Sequence, residues 1–212
     1  MSALLERSGI TLTASQLGQL WRFDQLLRER NDDRDLTRLI EFESVVIKHY
    51  VDCLFVGRLV RLPSPLVDVG TGAGFPGIPL KIQNPDLELT LAEQRPRRVA
   101  FLNEAITALG LRRAKTFDHR VSSRSFTEPM RGVITRAVEP ITKTILRTSG
   151  ATDAGSQLIF MKGPGVDEEL AEAVRDFKRD YKLVRDQAYT LPHTPHARRL
   201  VIFERVSPRT PA

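Results

Sequence analysis

Leu66-Val67-Asp68-Val69-Gly70-Thr71-Gly72-Ala73-Gly74-Phe75-Pro76-Gly77-Ile78-Pro79-Leu80 changes character three times. An apolar run carries an acid, four glycines fall within eight positions, and a pattern with prolines in its first turn begins. This order predicts a strand, a tight turn and a helix. Gly70, Gly72 and Gly74 allow a sharp turn and leave no Cβ between the backbone N–H groups and a ligand. Pro76 and Pro79 sit where a helix start tolerates a missing N–H. Such a helix N-terminus directs free donors and a partial positive charge at an anionic or carboxylate-bearing group.

Outward from this turn, hydrophobic periodicity alternates. On the N-terminal side, Thr13 with Gln16 resembles a capping box, and Leu17, Leu20, Trp21, Phe23, Leu26 and Leu27 recur at helical spacing up to a charged break from Glu29 to Asp35. A second helix is expected from about Glu41 to Val60, ended by Arg61-Leu62-Pro63-Ser64-Pro65. On the C-terminal side, strands are expected at 87–92, 114–117, 132–135 and 157–161. Helices are expected at 97–109, 141–148 and 168–180, the last with Leu170, Ala173, Val174 and Phe177 inward. Two final strands, 181–188 and 199–204, are joined by too few residues for a helical crossover, so the last should run antiparallel. The βαβα order predicts an α/β fold: a seven-stranded, mostly parallel sheet covered on both faces, with ligands beyond the carboxyl ends of its strands. Residues 1–62 are assigned to an N-terminal helical extension, 63–206 to the main domain and 207–212 to a flexible tail.

Composition narrows the function classes. The chain has 212 residues, 41% of them hydrophobic, enough for one α/β domain with an appendage. No signal peptide and no apolar run of membrane-spanning length is visible, so a soluble, cytoplasmic protein without a membrane partner, and a monomer, is expected. Cys53 is the only cysteine, which excludes an intrachain disulfide and a cysteine-based zinc cluster. The net charge of +6 favours an anionic partner, nucleic acid ahead of membrane. His193 and His196, with prolines around them and no third ligand, are assigned to a loop, and no metal is expected.

Glu93 ends the second strand about twenty residues beyond the glycines, where nucleoside-cofactor sites place an acid on the ribose hydroxyls. NAD and S-adenosylmethionine both fit such a site. The compact Gly70-x-Gly72-x-Gly74 spacing after Asp68 favours adenosylmethionine.

Asp68 to Leu80 resembles the signature of the bacterial RsmG family, also called glucose-inhibited division protein B. Lys48-His49-x-x-Asp52, Arg97-Arg98-Val99-Ala100-Phe101-Leu102, Thr135-Arg136-Ala137, Met161-Lys162-Gly163 and Arg199-Leu200-Val201-Ile202 follow in family order, so the resemblance covers roughly residues 35–205. It implies a class I (Rossmann-like) S-adenosylmethionine-dependent methyltransferase acting on guanine N7 of small-subunit (16S) ribosomal RNA, with the small ribosomal subunit or its assembly intermediate as partner. It further implies that Gly70, Gly72 and Phe75 contact adenosylmethionine, Glu93 its ribose, Val121 and Ser122 its adenine through the backbone, and Arg136 the reacting end. Two segments depart from the family pattern: Ser122-Ser123 replaces a pair of glutamates, and Asp35-Leu36-Thr37 replaces Asn-Leu-Thr. No functional weight is placed on the second.

Guanine N7 keeps its lone pair outside the aromatic sextet and attacks an activated methyl group without losing a proton, so no general base is required. Thr135-Arg136-Ala137 is not the Asn/Asp-Pro-Pro-aromatic pattern that grips an exocyclic amine, and lone Cys53 argues against a covalent adduct with a pyrimidine. Arg136 is the candidate for orienting guanine or contacting the cofactor. Lys48, His49, Arg97, Lys162 and Arg199 are the leading RNA-contact candidates, within a wider basic set that includes Arg95, Arg98, Arg112, Arg113, Lys115, Arg120, Arg124 and Arg198. A nucleotide-dependent oxidoreductase, and an RNA-binding or ribosome-assembly protein with a vestigial cofactor pocket, are the competing readings.

Overall fold

The computed structural model describes residues 1–209. Seven strands, β1 (Leu66–Val69), β2 (Leu89–Ala92), β3 (Ala114–Phe117), β4 (Met130–Arg136), β5 (Thr152–Lys162), β6 (Tyr181–Thr190) and β7 (Ala197–Arg205), form one sheet in the order β3-β2-β1-β4-β5-β7-β6. All four residues of β1 and of β2 are buried, as expected of central strands covered on both faces. Leu66 to Val69 pair in parallel with Leu89 to Ala92 on one side, and Leu66 to Asp68 with Gly132 to Ile134 on the other. The strand order reverses beside β1, which opens a crevice at its carboxyl end. β7 runs antiparallel between β5 and β6, joined to β6 by residues 191–196.

Helices cover both faces. α1 (Ser2–Arg7), α2 (Ala14–Arg34), α3 (Phe42–Val45), α4 (Asp52–Leu59), α5 (Gly77–Gln83) and α6 (Pro96–Ala108) bury their apolar residues with Leu66, Leu91, Ile134 and Ile202 in one cluster. α7 (Ile141–Thr148) and α8 (Asp167–Phe177) pack with Val67, Val133, Phe160 and Phe203 in a second. Residues 1–62, assigned above to an appended extension, thus share the core of the sheet face they cover.

Several expectations are corrected. α2 does not break at Glu29 but continues to Arg34, because Arg30 and Arg34 both bind Glu104 on α6, at 2.8 and 3.1 Å, and the chain leaves the helix only at Asp35, in the left-handed region. The Thr13–Gln16 capping box is present. The second helix is interrupted: between α3 and α4 lies one π-helical segment, Val46–Val51. Val174, expected inward, is 40% exposed, since the sheet side of α8 is filled by Leu170 and Ala173. Ser207 to Arg209, assigned to a flexible tail, are tied down: the Arg209 N–H donates to Asp153 and its guanidinium to the carbonyls of Phe126 and Thr127. The rest of that tail, 210–212, lies outside the described residues. No helix among the described residues is long and apolar enough to cross a membrane.

Candidate active site

The crevice at the carboxyl end of β1 is a cleft of two lobes, each about 400 Å³, meeting at Gly70, Arg136 and Ala137. One lobe, walled by Glu93, Arg95, Arg98, His119 and Val121, is here called the Glu93 lobe. The other, lined by Thr37, Lys48, His49, Asp52, Phe75 and Arg198 among others, is called the Arg198 lobe.

The glycine turn between them is organised from beneath by Asp68. Its carboxylate is fully buried, and Oδ2 accepts from the Thr71 hydroxyl at 2.6 Å and the Gly77 N–H at 2.7 Å, which ties both ends of the turn to one atom. Burial pushes the Asp68 carboxyl up to about 6, against the opposing pull of those two hydrogen bonds. Gly70, Gly72 and Gly74 have φ of 71°, 61° and 97°, a region that disfavours any side chain. Gly77 is required by closeness instead: a Cβ there would lie 2.4 Å from Leu91 and 2.7 Å from Asp68 Oδ2.

Phe75 leaves the turn toward the helices. Its ring is buried, stacks on His49 with centroids 4.5 Å apart, and meets Phe23 and Tyr50 at 5.4 and 5.5 Å. Arg136, at the end of β4, reaches the same segment: Nη1 donates to the Lys48 carbonyl at 3.0 Å and to Asp52 Oδ2 at 3.3 Å, and Nη2 lies 3.2 Å from His49 Nδ1. A guanidinium can only donate, so His49 Nδ1 accepts, and Nε2 carries the hydrogen toward the Thr37 hydroxyl at 3.0 Å. Burial first, and the Arg136 charge second, push the imidazole down to about 3 and hold His49 neutral. Asp52 Oδ1 meanwhile accepts from Arg198 Nε at 3.1 Å, so one carboxylate serves two arginines.

The structure brings together Gly70, Gly72, Phe75, Lys48, His49, Arg136 and Lys162 at the Arg198 lobe, and Gly70, Glu93, Val121 and Arg136 at the Glu93 lobe. Glu93 is buried, and its Oε1 accepts the Arg95 N–H at 2.9 Å. Ser122 lies instead on an adjoining depression with Arg120, Ser123 and Lys143, and its N–H donates to Ser125 Oγ at 2.7 Å. Arg97 is exposed and lines neither lobe. Lys162 Nζ is occupied by the Glu139 carbonyl at 2.7 Å and Glu169 Oε1 at 2.6 Å. Arg199 points away from the cleft, where Asp186 and Asp167 bind it and push its guanidinium up. Its neighbour Arg198 lines the lobe, because successive residues of a strand face opposite sides. Leu36 and Thr37, given no functional weight above, also line it. Asp52 carried a signal, since its spacing from Lys48 and His49 places all three on one helical face. Cys53 is fully buried, and that burial raises its thiol above the usual range, so it presents no thiolate. His193 sits in a loop with Nε2 on the Arg7 carbonyl at 2.8 Å. Among the described residues no three His, Cys, Asp or Glu side chains gather as metal ligands.

The chain is similar to known proteins in sequence and in fold. The GidB family, rRNA small subunit methyltransferase G, matches residues 16–199. A ribosomal RNA small subunit methyltransferase G 2 of Syntrophobacter fumaroxidans is 50% identical over 99% of this chain, which spans 42% of that relative's length. One of the same name from Bdellovibrio bacteriovorus is 42% identical over 91% of this chain and 75% of its own length. In three dimensions, magnesium protoporphyrin IX methyltransferase of Synechocystis, solved with bound adenosylmethionine, aligns with a TM-score of 0.56 at 14% identity, over 86% of this chain and 97% of that one. An rRNA methylase of Streptococcus thermophilus aligns with a TM-score of 0.51 at 17% identity, over 72% of this chain and 93% of that one. These likenesses establish the class I methyltransferase fold, and the family match over residues 16–199 establishes that the chain belongs to the rRNA small subunit methyltransferase G family.

Proposed function

We propose that the protein transfers a methyl group from S-adenosylmethionine to N7 of a guanine in 16S ribosomal RNA, with the donor's nucleoside in the Glu93 lobe and the target base in the Arg198 lobe. The carrying observation is the junction of the two lobes at Gly70, Arg136 and Ala137, where two ligands bound side by side would meet.

The residues present fit the cofactor. Gly70 lines both lobes and a Cβ on it would strike Val138 at 2.7 Å, and a buried acid closes the lobe at the end of β2. Adenosylmethionine supplies a methyl group activated by a sulfonium. Glu93 would hold the ribose hydroxyls, Gly70 and Gly72 would leave room for the methionyl chain, and Val121 would pack against the adenine.

What lines the Arg198 lobe suits a nucleophile that needs no deprotonation. Its single acid among the described residues, Asp52, is committed to two arginines, and its imidazole is neutral with Nδ1 engaged. Neither is free to act as a base, and guanine N7 requires none. Arg136 commits three N–H groups to Lys48, His49 and Asp52, which fixes its plane while two remain for an acceptor such as guanine O6. Catalysis then comes from holding nucleophile and methyl carbon in line. A nicotinamide-dependent oxidoreductase is disfavoured by the family. Purified protein incubated with methyl-labelled adenosylmethionine and small subunits from cells lacking this gene should label one guanine, mapped by N7-methylguanine-specific cleavage, and Glu93→Ala and Arg136→Ala should abolish the label. Adenosylmethionine binding without label on subunits or free RNA would favour the binding-protein reading.

A further inference from the structure

Asp52 sits at the first turn of α4, directly after the π-helical segment, and the function proposed above uses no chemistry of its own from it. It is 3% exposed, and burying a carboxylate is unfavourable unless cations and hydrogen bonds compensate. Here the compensation comes from two strands far apart in sequence: Arg136 at the end of β4 on Oδ2, and Arg198 near the start of β7 on Oδ1. A π segment shifts main-chain carbonyls out of the regular helical ladder, and the carbonyl of Lys48 within it accepts from Arg136 Nη1. Lys48, His49 and Asp52 thus grip one guanidinium from three directions, and Asp52 alone extends the grip to a second. Two fixed positive charges facing one negative charge leave the lobe wall net positive, as an RNA phosphodiester or base carbonyl requires.

We propose that Asp52 is a positioning residue for methyl transfer: by holding Arg136 and Arg198 on its two oxygens, it fixes both guanidiniums in register with each other at the wall of the target-base lobe. This rests on the functional reading above. Arg136 addresses the base beside the methyl donor, and Arg198, whose Nη2 is free of protein partners among the described residues, addresses the flanking phosphate. The side chains keep this arrangement before RNA arrives, so the ordering cost of two long cations is already met.

The test compares wild type, Asp52→Asn, Arg136→Lys and the double variant in the full chain. It reads single-turnover methylation at saturating adenosylmethionine and subunits, together with Tm. Asn keeps the shape but removes the charge that orients both guanidiniums. Asp52→Asn should slow methylation about 10- to 100-fold with Tm within about 3 °C of wild type. The double variant should be no slower than the worse single one, since both changes break one unit. A rate within about twofold of wild type, or losses that simply multiply, would overturn the proposal, as would a loss that tracks the unfolded fraction. Should Asp52→Asn fail to fold, the cycle between Arg136→Lys and Arg198→Ala decides: non-multiplicative losses support a shared carboxylate, multiplicative ones refute it. An inactive wild type refutes the functional reading and this one together, whereas an active wild type indifferent to Asp52→Asn refutes this one alone.

Discussion

Asp68 and Gly77 form the smallest unit on which the site depends, a buried acid whose Oδ2 draws in the N–H nine residues on. Gly77→Ala places a methyl group against both Leu91 and that oxygen, and is expected to destabilise the fold by about 1–3 kcal/mol and to weaken adenosylmethionine binding, read by urea denaturation and calorimetric titration. Asp68 itself titrates in the folded chain near 6, against 3.8 for an unburied aspartate. The folded state therefore retains a proton that the unfolded state has released between those values. The stabilising contribution of protonated Asp68 is complete below about pH 4 and is lost as pH rises through about 6. Asp68→Asn preserves an acceptor for Thr71 and Gly77 without a charge to bury, so its stability should vary less over that window, measured as urea midpoints from pH 4 to 7. The glycine turn and the place of Glu93 at the end of β2 were legible in the chain because both follow from local backbone geometry and strand periodicity. The double duty of Asp52 was not, because Arg136 and Arg198 meet it only after the sheet has formed.

Helix ends and interruptions follow from contacts of differing range. The start of α2 was readable from Thr13 and Gln16 alone, since a capping box is local, but Gln16 Nε2 also donates to the carbonyls of Ile82 and Gln83 at the end of α5. Thr13→Ala should lower stability by about 1 kcal/mol, and Gln16→Ala by more, because it also removes the tie between the two helices; thermal denaturation of both variants checks the order. The far end of α2 was misjudged because a charged run reads as a break unless an acid such as Glu104 waits on a neighbouring helix. The π segment left no mark in the sequence periodicity: one shifted hydrogen-bond pattern inside an otherwise apolar helical face does not disturb the 3.6-residue spacing enough to be seen.

At the scale of the whole chain, the βαβα alternation and the short β6–β7 connection were sufficient to anticipate a parallel sheet with one reversed strand. Whether residues 1–62 stand apart could not be read, because an amphipathic helix shows that it buries a face without showing against what. They bury it on the sheet, with Phe23 and Tyr50 against Phe75 of the glycine turn. A fragment beginning at residue 63 is therefore expected to lose cooperative unfolding and adenosylmethionine binding together, measured by near-ultraviolet circular dichroism and calorimetry. Retention of a sharp transition in that fragment would show that the helices only decorate the sheet.

The two lobes share the wall made by Gly70, Arg136 and Ala137. Under the proposed assignment of donor and target base to the two lobes, that shared wall makes the protein a target for bisubstrate compounds. A nucleoside head joined through a short linker to a purine-like tail would place its second half at high effective concentration once the first is seated. Its advantage over either half alone should vanish in any variant that moves Arg136.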